Sequence, residues 1–511
     1  MAQAQTDPYI IYLTNKQGTS GTIANPSAYL SAKSIERRAN MHIQIDSSDL
    51  PVSQSYIDFI KNEGASIVYV SKWMNAVYIQ ATAVQYASIL NLPFVQESVF
   101  SFRTSSTINT HTINTTSNYA ENYSDYLGIT QMHANGIKGK GVLIAITDAG
   151  FPGVDTLTAF KHLWNNNQLI HYFDVADNEL NVFNDDSHGT YILSVLAADT
   201  NIYKGVTPEA DYILLRTEVA SSETTLEEYH WLRAAEIADS CGADIISVSL
   251  GYNTYDNASE SYTYADMDGV TSVIARAADM AYEKGMLVVS SAGNDGLNSW
   301  KYIGTPADAK NVIAVGSVDI SSNKKSGFSS VGPSADGRIK PDVCAVGASV
   351  YCIKPDGSMF LTGGTSLATP MIAGLLAGIK QSYPLLSADE MKALLLQSCD
   401  NYSNPTNLKG YGVPHYSRTF AYYSVYDKDA AILIAPNPYH SGQLLLKVPQ
   451  NNFSYSIEIF DNQGRIIEQL NATSASNIIN LEEYVTRLTP GFYLITVGTA
   501  TTRETLKWIK L

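Results

Sequence analysis

Apolar residues recur along this chain in three rhythms, and each rhythm predicts a different kind of element. In the first hundred residues, short apolar runs at Tyr9–Tyr12, Ser66–Val70, Ala76–Ile79 and Phe94–Glu97 predict strands, and the spacing within Tyr56–Lys61 and Val84–Leu90 predicts helices. From about residue 140 the strands become nearly continuous apolar runs, at Val142–Ile146, Tyr212–Leu215, Ile245–Val248, Met286–Ser290 and Val312–Val315. Helical patterns accompany them at Glu227–Ser240, Ala275–Lys284 and Ser366–Ile379. Strands that are apolar on both faces belong to a parallel α/β sheet covered by helices on both sides. Alternation returns at Leu444–Val448, Tyr455–Phe460 and Phe492–Val497, with Asp461-Asn462-Gln463-Gly464 as a turn, and predicts a small all-β sandwich.

These rhythms divide the 511 residues into a first domain over 1–100, a second over 126–420 and a third over 430–511, in line with a rough ~150 residues per domain. The first follows the order β-α-β-β-α-β, the ferredoxin-like α+β arrangement. Between it and the second lies a stretch, 101–125, crowded with Ser, Thr, Asn and Tyr and holding Arg103 as its one Lys or Arg. By composition it is an exposed linker or a processing region. No internal repeat occurs.

Charge narrows the function classes. With 33 Lys and Arg against 49 Asp and Glu the net charge is -16, which repels phosphate backbones and argues against nucleic acid as a partner. Charged residues make up 16 % of the chain, below the usual ~25 %, so a hydroxyl- and amide-rich surface suited to an extracellular protein is expected. No run reaches the ~18 apolar residues of a transmembrane segment. Met1–Thr6 lacks a basic-then-apolar signal peptide, so the protein either stays in the cell or has had its signal removed, and the second reading is preferred. Cys241, Cys344, Cys352 and Cys399 lack C-x-x-C spacing; Cys344 and Cys352 pair in an oxidising compartment or remain buried thiols.

Three motifs carry chemistry. Ile144–Gly150 is an apolar strand delivering Asp148 at its C-terminal end, where open parallel sheets place their ligands. Asp186-Ser187-His188-Gly189-Thr190 sets a histidine before the apolar run 191–198, and Gly363-Gly364-Thr365-Ser366 places a serine at a helix start. Singly, these are a strand-end carboxylate, a space-filling histidine and an N-cap. Together, in the order Asp, His, Ser, they form a nucleophile, a base and an acid. On these motifs, residues from about 120 to 420 resemble the catalytic domain of subtilisin-like serine proteases (subtilases).

The resemblance implies a three-layer α/β domain with a mostly parallel sheet and a serine endopeptidase that hydrolyses peptide bonds through an acyl-enzyme. Ser366 would be the nucleophile, His188 the general base and Asp148 its orienting carboxylate. Ser291-Ala292-Gly293-Asn294 is similar to the family's oxyanion segment, so Asn294 and the backbone N–H of Ser366 would form the oxyanion hole. Without the triad, Gly293–Gly296 reads as an ordinary turn. Ser249, Leu250 and Gly251, with Ser291, Ala292 and Gly293, would line the substrate as an added strand. The first motif reads Ala149-Gly150-Phe151, and Leu367 follows Ser366, where many relatives carry other residues; neither position supplies a reacting atom. The chemistry requires no cofactor. In the insertion Tyr252–Gly269, expected to overhang the cleft, Asp266 and Asp268 are candidate ligands of a structural calcium ion, against a plain solvated loop.

The flanking domains extend the same reading. Residues 1–100 resemble a subtilase propeptide, an inhibitor of its own enzyme that is cleaved off between about 98 and 122. Ile459–Gly464, Pro490–Leu494 and Lys507–Leu511 resemble the sorting domain of the type IX secretion system of Bacteroidetes, which implies secretion-machinery partners and a secreted or cell-surface location reached through the periplasm. A generic β-sandwich binding module is the alternative. The expected partners are protein or peptide substrates, and the competing functions are a processing enzyme with one target and a non-catalytic scaffold. The pair Arg37-Arg38 reads as a small basic spot, His162, His171 and His230 as structural, and Gly136, Gly139 and Gly141 precede a strand, the wrong context for a dinucleotide loop.

Overall fold

The computed structural model describes residues 6–96, 122–419, 432–499 and 502–511, apart from 436, 438, 440–442, 450–452 and 475–477. The expected activation region, between about 98 and 122, lies outside the described residues as far as residue 121.

In the N-terminal domain, β1 (Asp7–Tyr12), β2 (Ser66–Ser71) and β3 (Ala76–Ala81) form an antiparallel sheet in the order β1-β3-β2. Its side chains alternate between two cores. Tyr9, Ile11, Val77 and Ile79 pack with helices α2 (Gln54–Asn62) and α3 (Ala83–Ile89), while Ile10, Ala76 and Tyr78 face the central domain. The expected strand Phe94–Glu97 is seen as a single bridge between Leu13 and Val95. Helix α1 (Ala32–Asn40) was not foreseen; Ser31 caps it by accepting from the Ser34 N–H, and its buried face is Ser34, Arg37 and Arg38.

The central sheet runs β10-β9-β8-β7-β4-β6-β5, with β11 beside β9. Its strands are β4 (Leu143–Asp148), β5 (Leu169–Asp174), β6 (Asp211–Arg216), β7 (Ile245–Val248), β8 (Leu287–Ser291), β9 (Ile313–Asp319), β10 (Lys324–Lys325) and β11 (Val343–Val346). All pairs are parallel except β9 with β10. Short helices α4 (Asn122–Tyr126), α5 (Ile129–Ala134) and α6 (Lys161–Asn165) precede the main ones. Ile144, Ile146, Tyr212 and Leu214 pack on the side of α7 (His188–Ala197) and α10 (Thr365–Ser382), while Leu143, Ala145, Ile213 and Leu215 pack on the side of α8 (Leu226–Cys241) and α9 (Val273–Glu283). This strict parity of two apolar faces is what a three-layer domain requires.

A hairpin, β12 (Val350–Ile353) with β13 (Met359–Thr362), leads into α10, and α11 (Ala388–Gln397) follows. The C-terminal domain has one sheet of β14 (Leu433–Ala435), β15 (Leu445–Lys447) and β18 (Ile478–Asn480). The other orders β16 (Phe453–Phe460), β17 (Ile466–Ser474), β19 (Gly491–Gly498) and β20 (Arg503–Lys510) as β17-β16-β19-β20. Tyr455, Ile457, Ile459, Ile495, Val497 and Trp508 fill its core. Cys241, Cys344, Cys352 and Cys399 are free thiols, and of the two alternatives for Cys344 and Cys352 the buried thiol is the one observed. No described helix is long and apolar enough to cross a membrane.

Candidate active site

Asp148 ends β4, which lies between β6 and β7, so three adjacent strand ends meet at one rim. The Asp148 side chain is wholly buried. Its Oδ1 accepts from the Ala149 N–H and from His188 Nδ1, each at 2.8 Å. Its Oδ2 has no partner among the described residues. His188 opens α7 and donates its own N–H to Asp186 Oδ1 at 2.8 Å. The glycines around both residues are required by contact: a Cβ on Gly189 would collide with the Gly150 carbonyl, and one on Gly150, whose φ is +147°, would lie 2.7 Å from the Asp186 carbonyl.

Ser366 is the second residue of α10, whose N-cap is Gly364, a residue with no side chain to cap the helix. Its N–H therefore has no partner within the helix. Pro370 sits in the same helix and lacks the N–H that would bond the carbonyl four residues earlier, that of Ser366. Ser249 Oγ fills the vacancy, donating to Ser366 O at 2.9 Å, and Ser366 Oγ donates back to Ser249 O at 3.1 Å. Ser249 follows Val248, which pairs with Thr147 beside Asp148. The three residues separated in sequence thus reach neighbouring ends of β4 and β7.

The expected substrate-lining segments continue β7 and β8, which pair Val248 with Ser290. Ser291 Oγ donates to Leu250 O at 3.0 Å and ties the two segments together. Gly251 is exposed, whereas Ala292 turns its methyl into a cluster with Ile303, Ala307 and Ala314 and offers a ligand only main chain. Gly293 N–H donates to Thr365 Oγ1 at 3.3 Å. Asn294 accepts through Oδ1 from the Thr365 N–H at 2.9 Å and from Thr365 Oγ1 at 3.1 Å. Those bonds fix the amide plane and leave Nδ2 to donate on the exposed side, near Gly364.

Burial works to lower the His188 pKa, but the Asp148 charge and hydrogen bond, with Asp186 and Glu218, outweigh it and hold the imidazole above its ordinary 6.5. His188 thus stands raised against a buried carboxylate at a strand-end rim, with the Ser366 hydroxyl fastened to the next strand end.

A model of the subtilase family matches residues 139–413. The chain belongs to the subtilase family. The peptidase S8 propeptide domain of Bacteroidota matches residues 8–120 of this subtilase, and the secretion system C-terminal sorting domain matches 433–511. Serine protease AprX of Bacillus subtilis is 29 % identical over 308 residues, 54 % of this chain and 65 % of that protein. Subtilisin DY of Bacillus licheniformis is 31 % identical over 274 residues, 53 % of this chain and 88 % of that protein. Thermitase of Thermoactinomyces vulgaris is 32 % identical over 272 residues, 52 % and 84 % respectively. The matched region of this subtilase spans 65 % of AprX and 59 % of subtilisin NAT.

The insertion in this subtilase is fastened to α8: the phenols of Tyr255 and Tyr262 donate to Glu228 Oε1, each at 2.6 Å. Asp266 and Asp268 spend their oxygens inside the loop, on the Thr263 N–H and on the N–H groups of Val270 and Thr271. The acidic group that does converge is Glu218, Glu223 and Glu227, whose ligating oxygens lie within 4.8 Å of one another, a small cluster able to chelate a metal ion. Sequence reasoning passed over Glu218. Its one signal is a carboxylate just past the C-terminal end of the apolar strand β6, close to the signal that marked Asp148 at the end of β4. His230, expected to be structural, is buried with Nδ1 at 3.0 Å from the Thr217 carbonyl, and burial brings it down to about 4.

Proposed function

We propose that this subtilase is the proenzyme of a secreted serine endopeptidase. Ser366 Oγ leaves the Ser249 carbonyl, gives its proton to His188 Nε2 and bonds to the substrate carbonyl carbon. Asp148 holds the imidazole by Nδ1 and stabilises the imidazolium. Asn294 Nδ2 and the Ser366 N–H receive the oxyanion. His188 then protonates the leaving amine as the C–N bond breaks, and water, deprotonated by the same imidazole, hydrolyses the acyl-enzyme. Ser249, Leu250 and Gly251 with Ser291, Ala292 and Gly293 receive the substrate as an added strand. The observation that carries this reading is the 2.8 Å Asp148–His188 bond at the rim where Ser366 is fastened to the next strand end. A structural calcium ion, if bound, would take no part in these steps.

Incubation of the processed protein with a peptide library should give internal cleavages that vanish in Ser366→Ala. Absence of cleavage by either form after propeptide removal would overturn the reading. The same library separates a broad degrader from an enzyme with one target.

We read the domain limits as 1–100, 101–125, 126–420 and 430–511, and the first as a ferredoxin-like inhibitor, with β1, α2, β2, β3 and α3 in that order and Val95 closing beside Leu13. In this reading the C-terminal domain addresses the chain to type IX secretion after periplasmic passage and is then removed.

A further inference from the structure

Beyond the triad, one buried pair joins the two sides of the cleft floor. The chain leaving β6 continues through Thr217, whose N–H donates to the Asp148 carbonyl at 3.0 Å, to Glu218. The chain leaving β7 continues through Ser249, Leu250 and Gly251 to Tyr252. The Tyr252 phenol crosses between them and donates to Glu218 Oε1 at 2.6 Å, and Thr217 Oγ1 donates to the same oxygen at 3.0 Å. Tyr252 is 2 % exposed and Glu218 7 %. The Tyr252 main chain is also pinned, exchanging two hydrogen bonds with Thr305 at 2.8 and 3.0 Å. Burying a carboxyl group this deeply costs free energy that its hydrogen bonds must offset.

We infer that the Glu218–Tyr252 hydrogen bond is a positioning brace, which fixes the substrate-lining segment Ser249–Gly251 in register with the Asp148–His188 side of the cleft. This inference rests on the protease reading above. Neither residue touches a reacting atom. Because the segment binds the substrate main chain in ground and transition state alike, slackening the brace raises KM more than it lowers kcat.

Fluorophosphonate labelling of Ser366 and peptide hydrolysis by the processed full-chain enzyme form the test, in calcium-containing and in chelator-treated buffer. Tyr252→Phe should raise KM for a six-residue peptide by about tenfold with kcat within about threefold, the pattern of lost uniform binding. Its labelling by the small reagent, which does not span the segment, should follow the wild type. Glu218→Gln, whose amide oxygen still accepts the phenol, should keep KM within about threefold of wild type, and it remains informative if Tyr252→Phe does not mature. An unchanged KM in Tyr252→Phe, or a loss in Glu218→Gln as large as the expected loss in Tyr252→Phe, overturns the brace. So does a wild-type KM that follows calcium while Tyr252→Phe leaves it unmoved. A wild type that is neither labelled nor active defeats the protease reading instead.

Discussion

Where α8 meets the propeptide, the buried carboxylates Asp239 and Asp49 lie against cations. Asp239 receives Arg37 at 2.5 Å, Arg38 at 2.8 Å and Lys72 at 3.4 Å. Arg38 also reaches Asp49 at 2.8 Å, and Lys284 of the catalytic domain reaches the same Asp49 at 3.2 Å. Glu236 accepts from Ser71 Oγ and from the N–H groups of Lys72 and Trp73. At the cleft, by contrast, Asp148 has an imidazole, one N–H and an unpartnered oxygen, and Glu218 has two hydroxyls. The two regions bury carboxylates for different ends. At the clamp Asp239 and Asp49 are held by cations, whereas at the cleft Asp148 meets an imidazole and Glu218 meets hydroxyls.

Breaking the cleft side should have the largest effect. Ser366→Ala should lower kcat by about a million-fold, and Asp148→Asn by about ten-thousand-fold through the wrong imidazole tautomer, both measured on one peptide substrate.

On the clamp side, Arg38→Ala strips Asp239 and Asp49 of one guanidinium in a fully buried setting. Removing one member of such a pair costs about 3 kcal/mol or more. The processed propeptide should therefore leave its enzyme about a hundredfold faster, read as the lag before activity appears on dilution.

Acid separates the regions along one axis. Burial works to raise the Asp239 pKa, but Arg37, Lys72 and Arg38 outweigh it and hold the carboxyl below its ordinary 3.8. Its pairing therefore stabilises fully above that value and is lost only as pH falls through the lowered one. His188 is shifted the other way, above 6.5. Catalysis needs the neutral imidazole, so kcat/KM should fall on acidification with its midpoint above 6.5, while this clamp still holds. The stability gained from pairing imidazolium with Asp148 runs oppositely: it is full below 6.5 and lost as pH rises through the raised value. A single pH titration of activity and of propeptide retention checks both signs.

The smallest effect should come from Asp268→Ala. That carboxylate serves only its own loop, so a loss of about 1 kcal/mol in thermal stability and no change in kcat/KM is expected.

The strands of the central sheet and the motifs around Asp148, His188 and Ser366 were legible because a covered parallel strand must be apolar throughout, and because its C-terminal end is where a carboxylate stands out. Strand β5, with a half-exposed pattern at the sheet edge, gave no such contrast. Helix α1 was hidden for a subtler reason. Its buried face consists of Ser34, Arg37 and Arg38, so hydrophobic periodicity had nothing to register, and the arginines read as a basic spot until Asp239 was seen opposite them. Glu218 was missed because a lone acid after a strand is common, and the phenol of Tyr252 that reaches it lies 34 residues later.

The central claim is that Ser366 is the nucleophile activated by His188. The most direct measurement is mass spectrometry of the processed protein after fluorophosphonate treatment, with His188→Ala alongside. One adduct, mapped to Ser366 and nearly absent from the variant, is the predicted result. An adduct at another residue, or labelling of Ser366 undiminished by loss of the imidazole, would contradict it.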